Sequence, residues 1–183
     1  MNQMSITLLC SPIFILCILF FASSCVTAHE TIKIYVDCDK VQTMCKELCT
    51  IIKSDDYKPD LLIGLSRGGL QPASYLAGEK QLNLRNVATI ALTSYDDGAK
   101  QGYIKIVMPF HVEDYKKYKS ILIVDDLVDS GKTMSFIKSF LEKELPESTI
   151  KVAVLYYKPT SSKIQPDYYV QETDEWIVFP WEN

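Results

Sequence analysis

Residues 121–133 read Ile121-Leu122-Ile123-Val124-Asp125-Asp126-Leu127-Val128-Asp129-Ser130-Gly131-Lys132-Thr133. The unbroken apolar run Ile121–Val124 has the pattern of a strand buried on both faces, as in a parallel sheet. It delivers adjacent carboxylates, Asp125 and Asp126, at its carboxyl end. A short loop follows, Gly131 lets the backbone curl, and a helical pattern runs over Gly131–Leu145. Amides at a helix N-terminus bind phosphate through unpaired N–H groups and the helix dipole; the Ser130 and Thr133 hydroxyls add donors. Phosphate-binding amides beside paired acids suit a sugar phosphate, the acids serving two ribose hydroxyls or Mg²⁺ and the amides a 5′-phosphate. The plainer alternative is a turn in which Asp129 only caps the helix. Gly131-Lys132-Thr133 is not a P-loop: that motif needs a Gly five residues before its second Gly, and Asp126 stands there.

On either side of this run, short apolar strands alternate with helical patterns. Ile32–Val36 reads as a strand, and Lys40–Lys53 as a helix with Val41, Met44, Cys45, Leu48 and Ile52 on one face. Leu61–Leu65 is an apolar strand ending in Ser66-Arg67-Gly68-Gly69, and Leu70–Lys80 fits a helix with Pro72 in its first turn. Val87–Thr93 is a strand; Ser94–Gly102 is polar with Asp96-Asp97-Gly98 as a turn; Tyr103–Met108 alternates like a half-exposed strand. Ile150–Tyr157 is a further strand, and Tyr168–Val170 and Trp176–Phe179 are weak ones. The alternation predicts a single α/β domain over 29–183, a mostly parallel, doubly wound sheet with ligands at the carboxyl ends of its strands.

The chain has 183 residues, 19 Lys+Arg against 23 Asp+Glu, and net charge −4, which argues against a nucleic-acid partner. Hydrophobic content of 48 % with 7 Gly and 8 Pro excludes collagenous and disordered classes. No charged residue precedes Glu30, and residues 5–28 are apolar enough to cross a bilayer, which takes about 20 residues. Three readings of residues 1–28 stay open. Val26-Thr27-Ala28 suits an export signal's cleavage site; Lys33, Lys40, Lys46, Lys53 and Lys58 after the apolar run suit a membrane anchor with the following domain cytoplasmic; a miscalled start codon removes the segment altogether. Beyond it, Cys38, Cys45 and Cys49 are an odd number on one predicted helix, not a disulfide framework or a metal set. They suit a reducing compartment.

The run 121–133 resembles the phosphoribosyl-pyrophosphate signature of type I phosphoribosyltransferases, and the resemblance extends to the small bacterial xanthine-guanine (hypoxanthine) members. Ser66-Arg67-Gly68-Gly69-Leu70 is similar to their pyrophosphate loop and Thr93-Ser94-Tyr95 to the start of their mobile catalytic loop. Lys158-Pro159 is similar to the element that reads the purine 6-oxo group. Asp174-x-Trp176-Ile177 with Pro180-Trp181 is similar to a small C-terminal base-stacking hood. The resemblance covers roughly Ile34 to Trp181.

It implies transfer of a 5-phosphoribosyl group from phosphoribosyl pyrophosphate to guanine, xanthine or hypoxanthine. Ser66–Gly69 would hold the pyrophosphate, with fixed charge from Arg67. Asp125 and Asp126 would hold the ribose hydroxyls, with Asp126 also a Mg²⁺ ligand, and Ser130, Gly131, Lys132 and Thr133 the 5′-phosphate. Asp129 would accept a proton at the purine N7. Lys158 would donate to the 6-oxo oxygen, Trp176 would stack on the base, and the Ile177 carbonyl would take an exocyclic amine. The resemblance further implies a homodimer or homotetramer. Phosphoribosyl pyrophosphate is made inside cells, which places the domain in the cytoplasm. In place of the usual Thr-Gly-Gly-Thr after the acid, this chain has Ser130-Gly131-Lys132-Thr133, and the loop Asp96–Gln101 receives no catalytic assignment.

Two other classes compete. A haloacid-dehalogenase-type phosphatase would use Asp37-Cys38-Asp39 as its nucleophile pair, but has Val41 where its Thr belongs and leaves Ser66–Gly69 and Lys158 without a role. A nucleotide-sensing module of the same fold would bind without turnover.

Overall fold

The computed structural model describes residues 32–96, 101–107 and 110–182. The apolar segment 1–28, with its three readings, lies outside the described residues, as do 97–100 of the polar loop and Met108. A six-stranded sheet carries the order β4-β3-β2-β5-β6-β7, with β2 Leu61–Ser66, β3 Val87–Asp96, β4 Gln101–Ile106, β5 Ser120–Val128, β6 Thr149–Tyr157 and β7 Tyr168–Glu172. Every pairing is parallel except the edge pair β3–β4, which is antiparallel.

Among the described residues three α-helices cover the sheet: α1 Cys38–Ser54, α2 Leu70–Ala77 and α3 Lys132–Glu144. Alternate residues of the central strands face opposite layers. Leu62, Leu122, Val124 and Leu155 pack with Val41, Met44, Leu48 and Ile52 of α1, and with Leu76 of α2. Ile63, Ile123, Val152 and Val154 pack with Met134, Ile137 and Leu141 of α3. The doubly wound sheet expected from the sequence is therefore present.

Chain direction reverses between β2 and β5. From β2 the chain passes through α2 to β3 on one side; from β5 it passes through α3 to β6 on the other. Neighbouring strands whose connections diverge leave a crevice at their carboxyl ends, the usual ligand position in such sheets. The loops 66–69 and 125–133 border it.

The structure departs from the sequence reading in several places. The hood is not purely C-terminal: β1 Lys33–Tyr35 pairs in parallel with β8 Trp176–Val178, and this two-stranded sheet stands apart from the main one. Strand pairing across this distance leaves no local pattern. β3 continues to Asp96 and β4 starts at Gln101, so most of the polar stretch 94–102 belongs to a hairpin whose backbone pairing overrides its composition. The second helix stops at Ala77 rather than Lys80, because Gly78 takes an extended conformation (φ −53°, ψ 154°) that ends it. Asp37 is the N-cap of α1, its carboxylate accepting from the Lys40 amide at 2.7 Å. That gives Asp37 a structural role as a helix cap. Cys45 and Cys49 are buried in the α1 core, and burial pushes the Cys45 thiol up to about 12.

Candidate active site

Gly131, not Asp129, is the N-cap of α3; its φ of +73° lies in the left-handed region that favours glycine. A Cβ there would stand 2.6 Å from both Ile164 Cγ2 and Ser162 Oγ, so the position lacks room as well. Ser130, Lys132 and Thr133 are exposed around the start of the helix. A cavity of about 150 Å³ runs from Asp125 along Ser130–Thr133. An adjoining one of about 200 Å³ is lined by Ser66, Thr93, Asp125 and Thr133 among others. The shared Asp125 and Thr133 make these one crevice at the β2/β5 reversal. Another cavity, of about 400 Å³, is lined by Lys116 and Lys143–Ser148 and contains none of the residues expected to bind substrate.

Opposite the helix terminus, Ser66–Gly69 turns from β2 into α2, and the Ser66–Arg67 peptide is cis. Arg67 is exposed. The adjacent glycines serve different purposes. A Cβ on Gly69 would meet the Val124 carbonyl oxygen at 2.2 Å and the Leu65 amide at 2.7 Å, so this glycine lets the turn sit on the strands. A Cβ on Gly68 would meet the Asp126 carboxylate at 2.3–2.4 Å, so this one leaves room for that side chain.

Asp125 and Asp126 are half-buried at the end of β5. Burial pushes the Asp125 carboxyl well above its ordinary value, and the neighbouring Asp126 charge adds to the effect. Asp126 is also raised by burial, partly offset by the Trp181 indole N–H, which donates to Oδ2 at 3.0 Å. Among the described residues no ion pair reaches either acid. Two adjacent carboxylates without a cationic partner are an oxygen donor set that fits a hard divalent cation.

The third face comes from the ends of β5 and β6, whose register sets Val128 beside Tyr157. The Lys158 amide donates to the Val128 carbonyl at 3.0 Å, placing Lys158 next to Asp129. Lys158 is 8 % exposed, with Nζ 3.4 Å from Asp129 Oδ2 and 5.8 Å from the centre of the Trp176 ring. Trp176 is 54 % exposed, a large aromatic face left open above that lysine. Ile177 is buried in the core, beside Trp176 on β8. The fold thus brings together Asp129, just after β5, Lys158, just after β6, and Trp176 of β8.

Sequence reasoning missed several partners. Ser161 Oγ donates to Asp129 Oδ1 at 2.7 Å and fixes that carboxylate. Its only sequence signal is its place in the turn Pro159-Thr160-Ser161 after Lys158. Thr160 Oγ1 donates to Asp174 at 2.6 Å, tying this turn to the segment before Trp176. Trp181, in the segment that resembles the base-stacking hood, stacks on Phe179 (centroids 4.8 Å apart, planes 8°) and turns its N–H to Asp126. No spacing rule announced that contact.

The doubly wound sheet thus brings a helix N-terminus, an acid pair and a glycine loop together at its reversal point, the usual ligand position in sheets of this class. A family model described as a phosphoribosyl transferase domain matches residues 33–182, and the chain belongs to that family. It is 30 % identical over 156 residues to the xanthine-guanine phosphoribosyltransferase of Idiomarina loihiensis, covering 84 % of this chain and 89 % of that one. A purine phosphoribosyltransferase structure from Pyrococcus horikoshii superposes with a TM-score of 0.70 at 36 % identity, covering 82 % of this chain and 95 % of the other. The xanthine-guanine-hypoxanthine phosphoribosyltransferase of Helicobacter pylori superposes with a TM-score of 0.71 at 26 % identity, covering 82 % and 94 %.

Proposed function

We propose that this phosphoribosyltransferase transfers the 5-phosphoribosyl group of phosphoribosyl pyrophosphate to a 6-oxopurine, releasing pyrophosphate in a purine-salvage reaction. The observation that carries the choice of base is the pairing of Lys158 Nζ with Asp129 Oδ2 at 3.4 Å beneath an open indole. On a 6-oxopurine, O6 and N7 lie side by side on one edge. A cationic donor beside a carboxylate acceptor matches O6 beside N7–H; adenine would present an amino group to Lys158 instead. The names of the relatives above support the same base class.

In this reading the ring lies on Trp176, Lys158 donates to O6, and the Asp129 carboxylate takes the N7 proton as the glycosidic bond forms. Ser161 holds Asp129 Oδ1, and Oδ2, beside Lys158 Nζ, takes that proton. The α3 terminus with Ser130–Thr133 binds the 5′-phosphate, Asp125 and Asp126 the ribose hydroxyls, and Arg67 with the Gly68–Gly69 amides the leaving pyrophosphate. Mg²⁺ held by Asp126 and substrate oxygens would neutralise charge on the departing pyrophosphate. Positive charge develops at the ribose anomeric carbon while negative charge leaves, so the gain comes from groups fixed in place beforehand.

Phosphoribosyl pyrophosphate is an intracellular metabolite, which supports a cytoplasmic domain, tethered to a membrane if residues 5–28 act as an anchor. Assembly as a homodimer or homotetramer follows from the family resemblance. The test is Mg²⁺-dependent pyrophosphate release with guanine, xanthine, hypoxanthine, adenine, orotate and uracil offered separately. Release with 6-oxopurines alone is expected. Tight nucleotide binding with no release on any base would replace the enzyme with a nucleotide-sensing module.

A further inference from the structure

Trp181 is used by no step above, yet its indole N–H donates to Asp126 Oδ2 at 3.0 Å. The indole is itself held, stacked on Phe179, whose ring packs edge-on against Tyr156 at 5.9 Å. Tyr156 and Phe179 are fully buried, so the stack stands on the core. The Phe179 amide and carbonyl also bond Glu182, closing a short turn around Trp181. On the other side, Gly68 lies so close to Asp126 that a Cβ there would overlap both carboxylate oxygens.

The Asp126 carboxylate is thus confined between a glycine backbone and a fixed indole. Its Oδ2 carries the indole bond. Trp176 and Trp181 lie on one continuous stretch, β8 and the turn after it. The segment that presents an aromatic face to the base therefore also holds the ribose acid.

We propose that Trp181 is a positioning residue for binding of the phosphoribosyl donor, aligning Asp126 through its indole N–H and linking the base hood to the ribose subsite. The proposal rests on the donor reading given above. It does not depend on which base is used, or on whether turnover occurs.

Trp181→Phe keeps an aromatic ring on Phe179 and removes only the donor. Binding of phosphoribosyl pyrophosphate without purine, followed by calorimetry, is expected to weaken roughly ten-fold, as for loss of one hydrogen bond to a charged group. The melting temperature is expected to stay within about a degree, and the KM for purine to stay unchanged while the KM for donor rises. A merely structural indole would move both constants together. Unchanged donor affinity in folded Trp181→Phe overturns the proposal.

A second measurement covers a variant that fails to fold. Trp176→Phe leaves Trp181 as the only indole in the chain. Titration with donor is expected to change its emission and its quenching by acrylamide; a signal indifferent to saturating donor overturns the proposal. Donor binding that perturbs Trp181, without pyrophosphate release on any purine, refutes the base assignment and leaves the role of Trp181 standing. Wild-type protein that binds no donor overturns both.

Discussion

Gly68 and Gly69 are neighbours of identical composition, and replacing each by alanine should damage different properties. At Gly69 the new Cβ would meet the backbone of β5 at 2.2 Å and of β2 at 2.7 Å. Backbone in the middle of a sheet cannot retreat, so the chain must move, at a cost of about 3 kcal/mol. For a domain of this size that lowers the melting temperature by roughly 6–12 °C. At Gly68 the atoms nearest the Cβ would be those of the Asp126 carboxylate, at 2.3–2.4 Å. That group ends a short side chain at the crevice and can swing away, so the fold is spared. The swing breaks the 3.0 Å bond from Trp181 and misplaces the ribose acid. A charge-assisted hydrogen bond is worth about 1.5–3 kcal/mol, so donor binding should weaken roughly ten- to hundredfold. Thermal melts and calorimetric titration with phosphoribosyl pyrophosphate, run on both variants, separate the two effects. Gly68→Ala that binds donor like wild type, or that melts as early as Gly69→Ala, would refute the assignment of the two glycines.

Asp129→Asn should lower kcat by a hundredfold or more with donor affinity little changed, since general-base groups contribute about 10²–10⁴; steady-state kinetics decide. Lys158→Met keeps the buried stem and removes the charge, and should raise the KM for 6-oxopurines at least ten-fold, with an unchanged value counting against its contact with O6. Ser161→Ala should cost several-fold in kcat without lowering stability, because it frees the Asp129 carboxylate, and Ser161→Thr should restore most of the loss. For Asp125, burial and the Asp126 charge raise the folded-state pKa above the unfolded value. The native state then holds the extra proton, and stability declines as pH rises through the folded value. Asp125→Asn should therefore melt higher than wild type in EDTA at pH 8 while losing activity, the advantage fading below the unfolded pKa of about 3.9.

The run 121–133 carried its structure in local terms. Consecutive apolar residues made a strand buried on both faces, and Gly131 marked the one left-handed position at the helix start. The α1 face was equally legible: Val41, Met44, Cys45, Leu48 and Ile52 recur at helical spacing, and all are buried. What the sequence concealed depends on distant pairing. Nothing near Lys33 shows that its partner is Trp176, and nothing near Trp181 points to Asp126. The polar run 94–102 misled because backbone pairing in a hairpin is indifferent to polarity. Ser161 escaped notice because a serine in a turn is common, and only the chain reversal after β6 aims it at Asp129.

The parallel pairing of β1 with β8 joins segments that lie at nearly opposite ends of the described chain. Trp176 donates its amide to the Ile32 carbonyl at 3.1 Å, and Val36 donates to Val178 at 3.0 Å, so each short strand takes its strand pairing from the other. During synthesis the phosphate loop and acid pair emerge well before Trp176 does, and β1 must wait unpaired until nearly all the rest is made. The phosphate loop and acid pair are therefore on the chain before both the open indole and the Trp181 N–H that bonds Asp126. The same arrangement makes a proteolytic nick near Lys33 an injury to the far end of the sequence: the indole would lose its register although no residue around it had been touched.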